Sequence, residues 1–170
     1  MIGAGAVVQG ILNGLSKIDD LEIYMICGLK NDQETMEQFS RTYGISHIVY
    51  DYQEVTDDPE VDIVYLAVPN LFHYEYAKRA LLCGKNVICE KTCVPTSAQL
   101  ENLYRIADEK GVIFMEAMKG LYLPEIHQLT EAFKKLGSIH MAKFDFCRYS
   151  SKMPALKAGE FPNIFNQIGR

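Results

Sequence analysis

Short apolar runs rich in β-branched residues alternate along this chain with stretches whose apolar positions recur at helical spacing. The runs cover residues 21–27, 47–50, 61–68, 86–89 and 112–115. They are too uniformly apolar for strands with one solvated face, so they predict buried parallel strands. Between them, residues 6–17, 32–43, 71–83 and 96–110 predict helices. In the last of these, Leu100, Leu103, Ile106 and Ala107 share a face while Glu101, Asn102 and Arg105 look away. Thr96 followed by Gln99 has the spacing of a capping box, and Gly44, Gly84 and Gly111 stand where helix C-caps belong. Strand and helix alternating in this way define βαβ units, hence an α/β fold built on a doubly wound parallel sheet.

The pattern changes after Met115. Residues 124–135 predict a helix closed by Gly137, and residues 139–149 predict a half-buried strand on which Ala142, Phe144 and Phe146 share a face. Residues 150–170, with Pro154, Gly159, Pro162 and Gly169, carry no regular pattern. A single strand cannot form a stable sheet alone. The region from about Leu136 therefore reads as the opening of a second, α+β domain that is truncated, and the Phe144 and Phe146 edge predicts self-association into a homo-oligomer.

Composition narrows the class. Hydrophobic residues make up 48% of the 170 and charged residues 23%, which excludes a disordered or fibrous chain. The net charge of -5 argues against a nucleic-acid footprint or a polybasic membrane anchor. No apolar stretch approaches the roughly 18 residues of a membrane span, and the first residues lack the basic region of a signal peptide. Five cysteines, most of them (Cys27, Cys83, Cys89, Cys147) inside apolar runs, read as reduced small hydrophobes in a cytoplasmic compartment. Cys83, Cys89 and Cys93 lack paired CxxC spacing, so no metal site is predicted.

Candidate chemistry begins at Gly3 and Gly5, directly before a helix. In a dinucleotide-binding βαβ unit the first glycine makes a tight turn and the second lets a pyrophosphate approach the backbone. The helix N-terminus adds N–H groups and positive dipole. Gly3, Gly5 and Ala6 fit those places in a Rossmann-type sheet, while Val8 takes the third glycine position. The first strand of such a sheet is central, yet only Met1 and Ile2 precede Gly3, which predicts a start further upstream. At the end of the next strand, roughly 20 residues on, an NAD site carries a carboxylate for the ribose hydroxyls. Gly28 and Lys30 stand there instead, which favours NADP over NAD.

Two further strand ends, Val68-Pro69-Asn70 with His73 and then Glu90-Lys91, open where ligands sit in open α/β sheets. A lysine such as Lys91 can orient a substrate hydroxyl there or take part in proton transfer. His73, in the first turn of a helix, reads equally as a packing side chain or a cofactor-proximal one. No serine nucleophile elbow and no P-loop is present.

Four motifs run in order along nearly the whole chain: Ile2-Gly3-Ala4-Gly5, Pro69-Asn70 with His73, Gly84-Lys85-Asn86-Val87 leading into Glu90-Lys91, and Met115-Glu116-Ala117-Met118. Together they resemble the glucose-fructose oxidoreductase, inositol dehydrogenase and rhizopine catabolism (Gfo/Idh/MocA) family, and the last motif looks most like its dihydrodiol dehydrogenase branch. The resemblance implies an NAD(P)-dependent oxidoreductase that passes a hydride between the nicotinamide and a hydroxyl-bearing carbon of a small sugar, cyclitol or diol. It implies that Lys91 contacts the reacting hydroxyl and the nicotinamide ribose. Asn70, His73, Glu90 and Glu116 would line the nicotinamide end, and Gly3 and Gly5 the pyrophosphate.

Thr92 stands where the family usually has proline, and Leu121 where the dihydrodiol-like branch tends to carry arginine. The family's Asp and His acid-base residues follow a glycine-rich stretch in its second domain. The chain ends at Phe165-Asn166-Gln167-Ile168-Gly169-Arg170, about where that stretch should begin. The expected organisation is thus a dinucleotide-binding domain over residues 1–120, then over 121–170 the linking helix and first strand of an incomplete substrate and oligomerisation domain, inactive as this short chain. The alternative is a non-catalytic, truncated module that binds nucleotide or acts by association.

Overall fold

A computed structural model of the protein describes residues 1–143 together with Asp145 and Cys147. The elements are α1 (Ala6–Leu15), β1 (Met25–Cys27), α2 (Gln33–Tyr43), β2 (His47–Val49), α3 (Tyr52–Asp57), β3 (Ile63–Leu66), α4 (His73–Leu82), β4 (Asn86–Cys89), α5 (Ser97–Lys110), β5 (Phe114–Glu116) and α6 (Pro124–Lys134). They fall into two units, Met1–Ala117 and the chain from Met118 onward.

In the first unit β1 pairs in parallel with β2, β3 with β4, and β4 with β5. The two half-sheets meet at Ile2, which bridges Cys27 on one side and Leu66 on the other. Its N–H donates to the Tyr65 carbonyl at 2.8 Å and its carbonyl accepts from Ala67 N–H at 2.8 Å, while Gly3 N–H donates to the Cys27 carbonyl at 2.8 Å. Met1 to Gly3 therefore occupy the central place, in the order β2, β1, Met1–Gly3, β3, β4, β5. A cleft of about 420 Å³ lies beside Met1, bordered by Ile23, Met25, Ile63 and Tyr65.

One correction to the sequence reading concerns residues 21–24: expected as strand, they are irregular, and only Met25–Cys27 is paired, with β2 on one side and Met1–Gly3 on the other. A second correction adds α3. Its N-terminus is a capping box in which Asp51 accepts from Gln53 N–H at 2.8 Å and Glu54 accepts from Asp51 N–H at 3.3 Å. At the start of α5, the Thr96 hydroxyl accepts from Gln99 N–H, but the Gln99 side chain meets that hydroxyl rather than the Thr96 backbone, so the box is only half made.

Helices cover the sheet from two faces. Val64, Leu66, Val87 and Cys89 pack with Ala77, Leu81 and Leu103, and on the other side Ile26 packs with Val8, Leu12, Met36 and Phe39. Val8, at the third glycine position, is wholly buried and fills the space between helix and sheet. At the strand starts Asn86 ties three strands together: its Nδ2 donates to the Asp62 carbonyl at 3.0 Å and its Oδ1 accepts from Ile113 N–H at 2.9 Å.

In the second unit α6 begins with Pro124 in its first turn, where the missing N–H costs nothing, and Gly137 follows it at φ +68°. Residues 139–143 are irregular and exposed, so the strand expected over 139–149 is not formed there; among the described residues none pairs with them, and an unpaired strand is not stable in water. Phe144, Phe146 and residues 150–170 lie outside the described residues. No described helix is long and apolar enough to cross a membrane.

The cysteines also divide differently from the sequence reading. Cys27, Cys89 and Cys93 are buried, whereas Cys83 and Cys147 are exposed. Cys83 is the C-cap of α4, turned outward at the end of a helix whose buried positions are His73, Ala77, Ala80 and Leu81. Burial pushes the thiols of Cys27 and Cys93 up to about 11 and raises that of Cys89 as well. Ellman's reagent at pH 8 should therefore modify two thiols of the native chain within minutes and the other three only after denaturant is added. Three or more fast-reacting thiols in the native chain would contradict this burial pattern.

Candidate functional site

The strand register sets one edge of the sheet. Gly3 follows Ile2, Gly28 follows Cys27, Val68 lies just past Leu66, Glu90 follows Cys89, and Glu116 pairs with Cys89. All five stand at the C-terminal ends of parallel strands, where crevices form in open α/β sheets.

Each glycine has a distinct local reason. Gly3 has φ +107°, and a Cβ there would lie 2.5 Å from the Ala67 carbonyl oxygen, so only glycine lets the turn pass this close to β3. Gly5 caps α1 with no side-chain hydrogen bond, and a Cβ there would meet nothing within 4 Å. The N–H groups of Ala6 and Val7 have no side-chain cap at the positive end of the helix dipole, while Val8 N–H donates to the Gly5 carbonyl at 2.9 Å. At Gly28 a Cβ would lie 2.7 Å from Met36 Sδ. Lys30 is exposed in the 3-10 turn Lys30–Asp32, and no carboxylate stands between Cys27 and Asp32.

The Lys91 segment is pinned at three points. His73 is wholly buried, with Nδ1 2.9 Å from the Thr92 carbonyl oxygen and Nε2 2.8 Å from that of Val68, so one ring joins the ends of β3 and β4. Glu90 is 7% exposed; one oxygen accepts from the Tyr65 hydroxyl at 2.9 Å and the other from Lys91 N–H at 3.3 Å. Glu116 accepts from Cys93 N–H at 2.9 Å. Lys91 itself is exposed, and no carboxylate among the described residues forms an ion pair with it.

Asn70 opens the 3-10 turn Asn70–Phe72 behind Pro69, with Phe72 N–H donating to the Pro69 carbonyl at 2.9 Å. The edge thus gathers Gly3, Gly5, Ala6, Gly28, Lys30, Val68, Pro69, Asn70, Glu90, Lys91 and Glu116, with His73 beneath it. Sequence reasoning missed Tyr65 and the Cys93 amide. Tyr65 pairs with Ile88, two residues before Glu90 on the same face, so its role is visible only once the strand register is known. His73 left a plainer signal: Ala77, Ala80 and Leu81 follow it at helical spacing, which puts it on the buried face of α4.

A glycine turn into an uncapped helix, with a lysine presented at the same sheet edge, has the form of a nucleotide-binding α/β domain. Residues 1–118 match the Gfo/Idh/MocA oxidoreductases, described as an oxidoreductase family with an NAD-binding Rossmann fold, and the chain belongs to that family. Among its relatives, scyllo-inositol 2-dehydrogenase (NADP(+)) IolU of Bacillus subtilis is 29% identical over 97% of this chain and 50% of its own length. Trans-1,2-dihydrobenzene-1,2-diol dehydrogenase of Mus musculus is 25% identical over 86% of this chain and 44% of its own. The solved structure of KijD10, a 3-ketoreductase from Actinomadura kijaniata in complex with NADP and TDP-benzene, superimposes with a TM-score of 0.72 at 27% identity, covering 79% of this chain and 41% of that one. The chain spans about half or less of the length of these relatives.

Proposed function

We propose that this chain is the cofactor-binding part of an NADP-preferring oxidoreductase that acts on a hydroxyl-bearing carbon of a sugar, cyclitol or diol. The observation that carries the reading is the meeting, at one sheet edge, of the Gly3 turn, the open N-terminus of α1 and Lys91. The free space beside Gly5 and the N–H groups of α1 fit a pyrophosphate. Gly28, without a side chain, and the Lys30 ammonium fit a ribose carrying a 2′-phosphate. The relatives named for NADP(+) and solved with NADP support this preference.

When bound, the nicotinamide supplies the hydride chemistry. The chain's own part is positional. Lys91 donates a hydrogen bond to the oxygen of the substrate hydroxyl and orients it, while Val68, Pro69 and Asn70 wall the neighbouring strand end. His73, Glu90 and Glu116 keep the Lys91 backbone in place. The relatives' names support a cyclitol or diol as the substrate class.

A fluorescence titration of the purified chain tests this. NADPH should bind saturably and NADH about tenfold more weakly, a difference of ~1.4 kcal/mol. Lys30→Ala should bring the two affinities together. Equal affinities in the parent chain would remove the NADP preference, and no binding of either would overturn the functional reading.

A further inference from the structure

Glu90 is a nearly buried carboxylate with no cationic partner among the described residues. Such a group is tolerated when its oxygens are hydrogen-bonded and is costly when they are not. Each oxygen has one partner: the Tyr65 hydroxyl at 2.9 Å, and the backbone N–H of Lys91 at 3.3 Å. Tyr65 belongs to none of the motifs that carry the family resemblance, and it lies on the opposite face of β3 from the buried Val64 and Leu66.

From this geometry we infer that Tyr65 is a positioning residue for Lys91: its hydroxyl fixes Glu90, whose other oxygen holds the Lys91 amide at the sheet edge. The functional meaning rests on the cofactor reading above. Burial, then the bond to Glu90, raises the Tyr65 phenol above its usual range, so it remains a donor at any pH where the fold is studied. Tyr65 is itself anchored, since its carbonyl accepts from Ile2 N–H in the centre of the sheet. The chain of contacts runs from the central ladder through Tyr65 and Glu90 to Lys91. Without the hydroxyl, one Glu90 oxygen has no partner in its buried place, the carboxylate turns toward water, and the Lys91 amide is released.

The test uses the full chain and two probes, NADPH and 2′,5′-ADP, which lacks the nicotinamide half. The ratio of their dissociation constants reads the half of the cofactor that 2′,5′-ADP lacks, the nicotinamide riboside with its phosphate. Lys91→Ala should reduce the advantage of NADPH over 2′,5′-ADP by about tenfold, Tyr65→Phe by a similar factor, and the double variant no further. A residue that merely supported the fold would weaken both probes together, and that result, or an unchanged ratio, would overturn the proposal.

A ligand-free measurement keeps the two readings separable. With the lysines reductively 13C-methylated, the Lys91 resonance, identified by its loss in Lys91→Ala, should shift in Tyr65→Phe. If the parent chain binds neither probe, the cofactor reading fails, and this spectrum alone decides the positioning: a Lys91 resonance that stays where it was would refute it.

Discussion

Replacing Gly3 with alanine should lower the stability of the chain by about 3 kcal/mol or more, because the new Cβ has nowhere to go. It would lie 2.5 Å from the Ala67 carbonyl oxygen and 3.0 Å from the carbonyl carbon, both backbone atoms, at a φ of +107° that L side chains rarely adopt. Backbone strain of this kind costs roughly 1–3 kcal/mol. Relieving the clash means moving Ala67 away, yet Ala67 N–H donates to the Ile2 carbonyl, so relief breaks the ladder that joins the two half-sheets. Each such bond is worth about 1 kcal/mol. Gly5→Ala is the matched comparison, since it meets nothing within 4 Å and Gly5 has φ -71°. Urea unfolding followed by circular dichroism should show a large loss for Gly3→Ala and under about 1 kcal/mol for Gly5→Ala. Similar small losses in both would mean that the turn does not pass as close to β3 as described.

The second large effect is expected at His73. Alanine there removes a wholly buried ring and leaves the carbonyls of Val68 and Thr92 without the partners they have at 2.8 and 2.9 Å. The cavity and the unpaired carbonyls together should cost about 3–5 kcal/mol. That is a large share of the roughly 5–15 kcal/mol by which folded domains exceed their unfolded states. His73→Asn can restore one of the two contacts and should recover part of the loss. Hydrogen exchange in the ligand-free chain should show the amides of residues 90–93 opening faster in His73→Ala, beyond the global change. Exchange that accelerates uniformly would reduce His73 to an ordinary packing residue.

These two residues also show what the sequence can and cannot disclose. The glycines announce a turn before a helix, because few arrangements need two glycines there, but which of them is crowded depends on Ala67, far away in sequence. Strand β4 is legible to its last residue, Asn86–Cys89, because its short apolar run has one face buried and the other half-buried and is flanked by the turn at Gly84. Residues 21–24 are equally apolar and are not strand, since pairing depends on a neighbour as well as on the pattern. Helix α3 is too short for its periodicity to register, although the Asp51 and Glu54 spacing was there to be read. The strand ends at Gly28, Val68 and Glu90 follow from the alternation of strand and helix, whereas Glu116 is singled out only by the family resemblance. The clasps that hold Lys91 join positions 19 to 25 apart in sequence, and no local pattern encodes them.

The junction at Ile2 joins two blocks of the sheet by backbone bonds above a core they share, in which Met25, Cys27, Tyr52 and Val55 pack with Val64, Leu66 and Ala77. On the proposed reading, the Gly28 side of a dinucleotide rests on one block and the Lys91 side on the other. Opening of the sheet together with its shared core and release of the dinucleotide then become one event seen from two directions. By mass action a ligand at a hundred times its dissociation constant adds about 2.7 kcal/mol to the closed state.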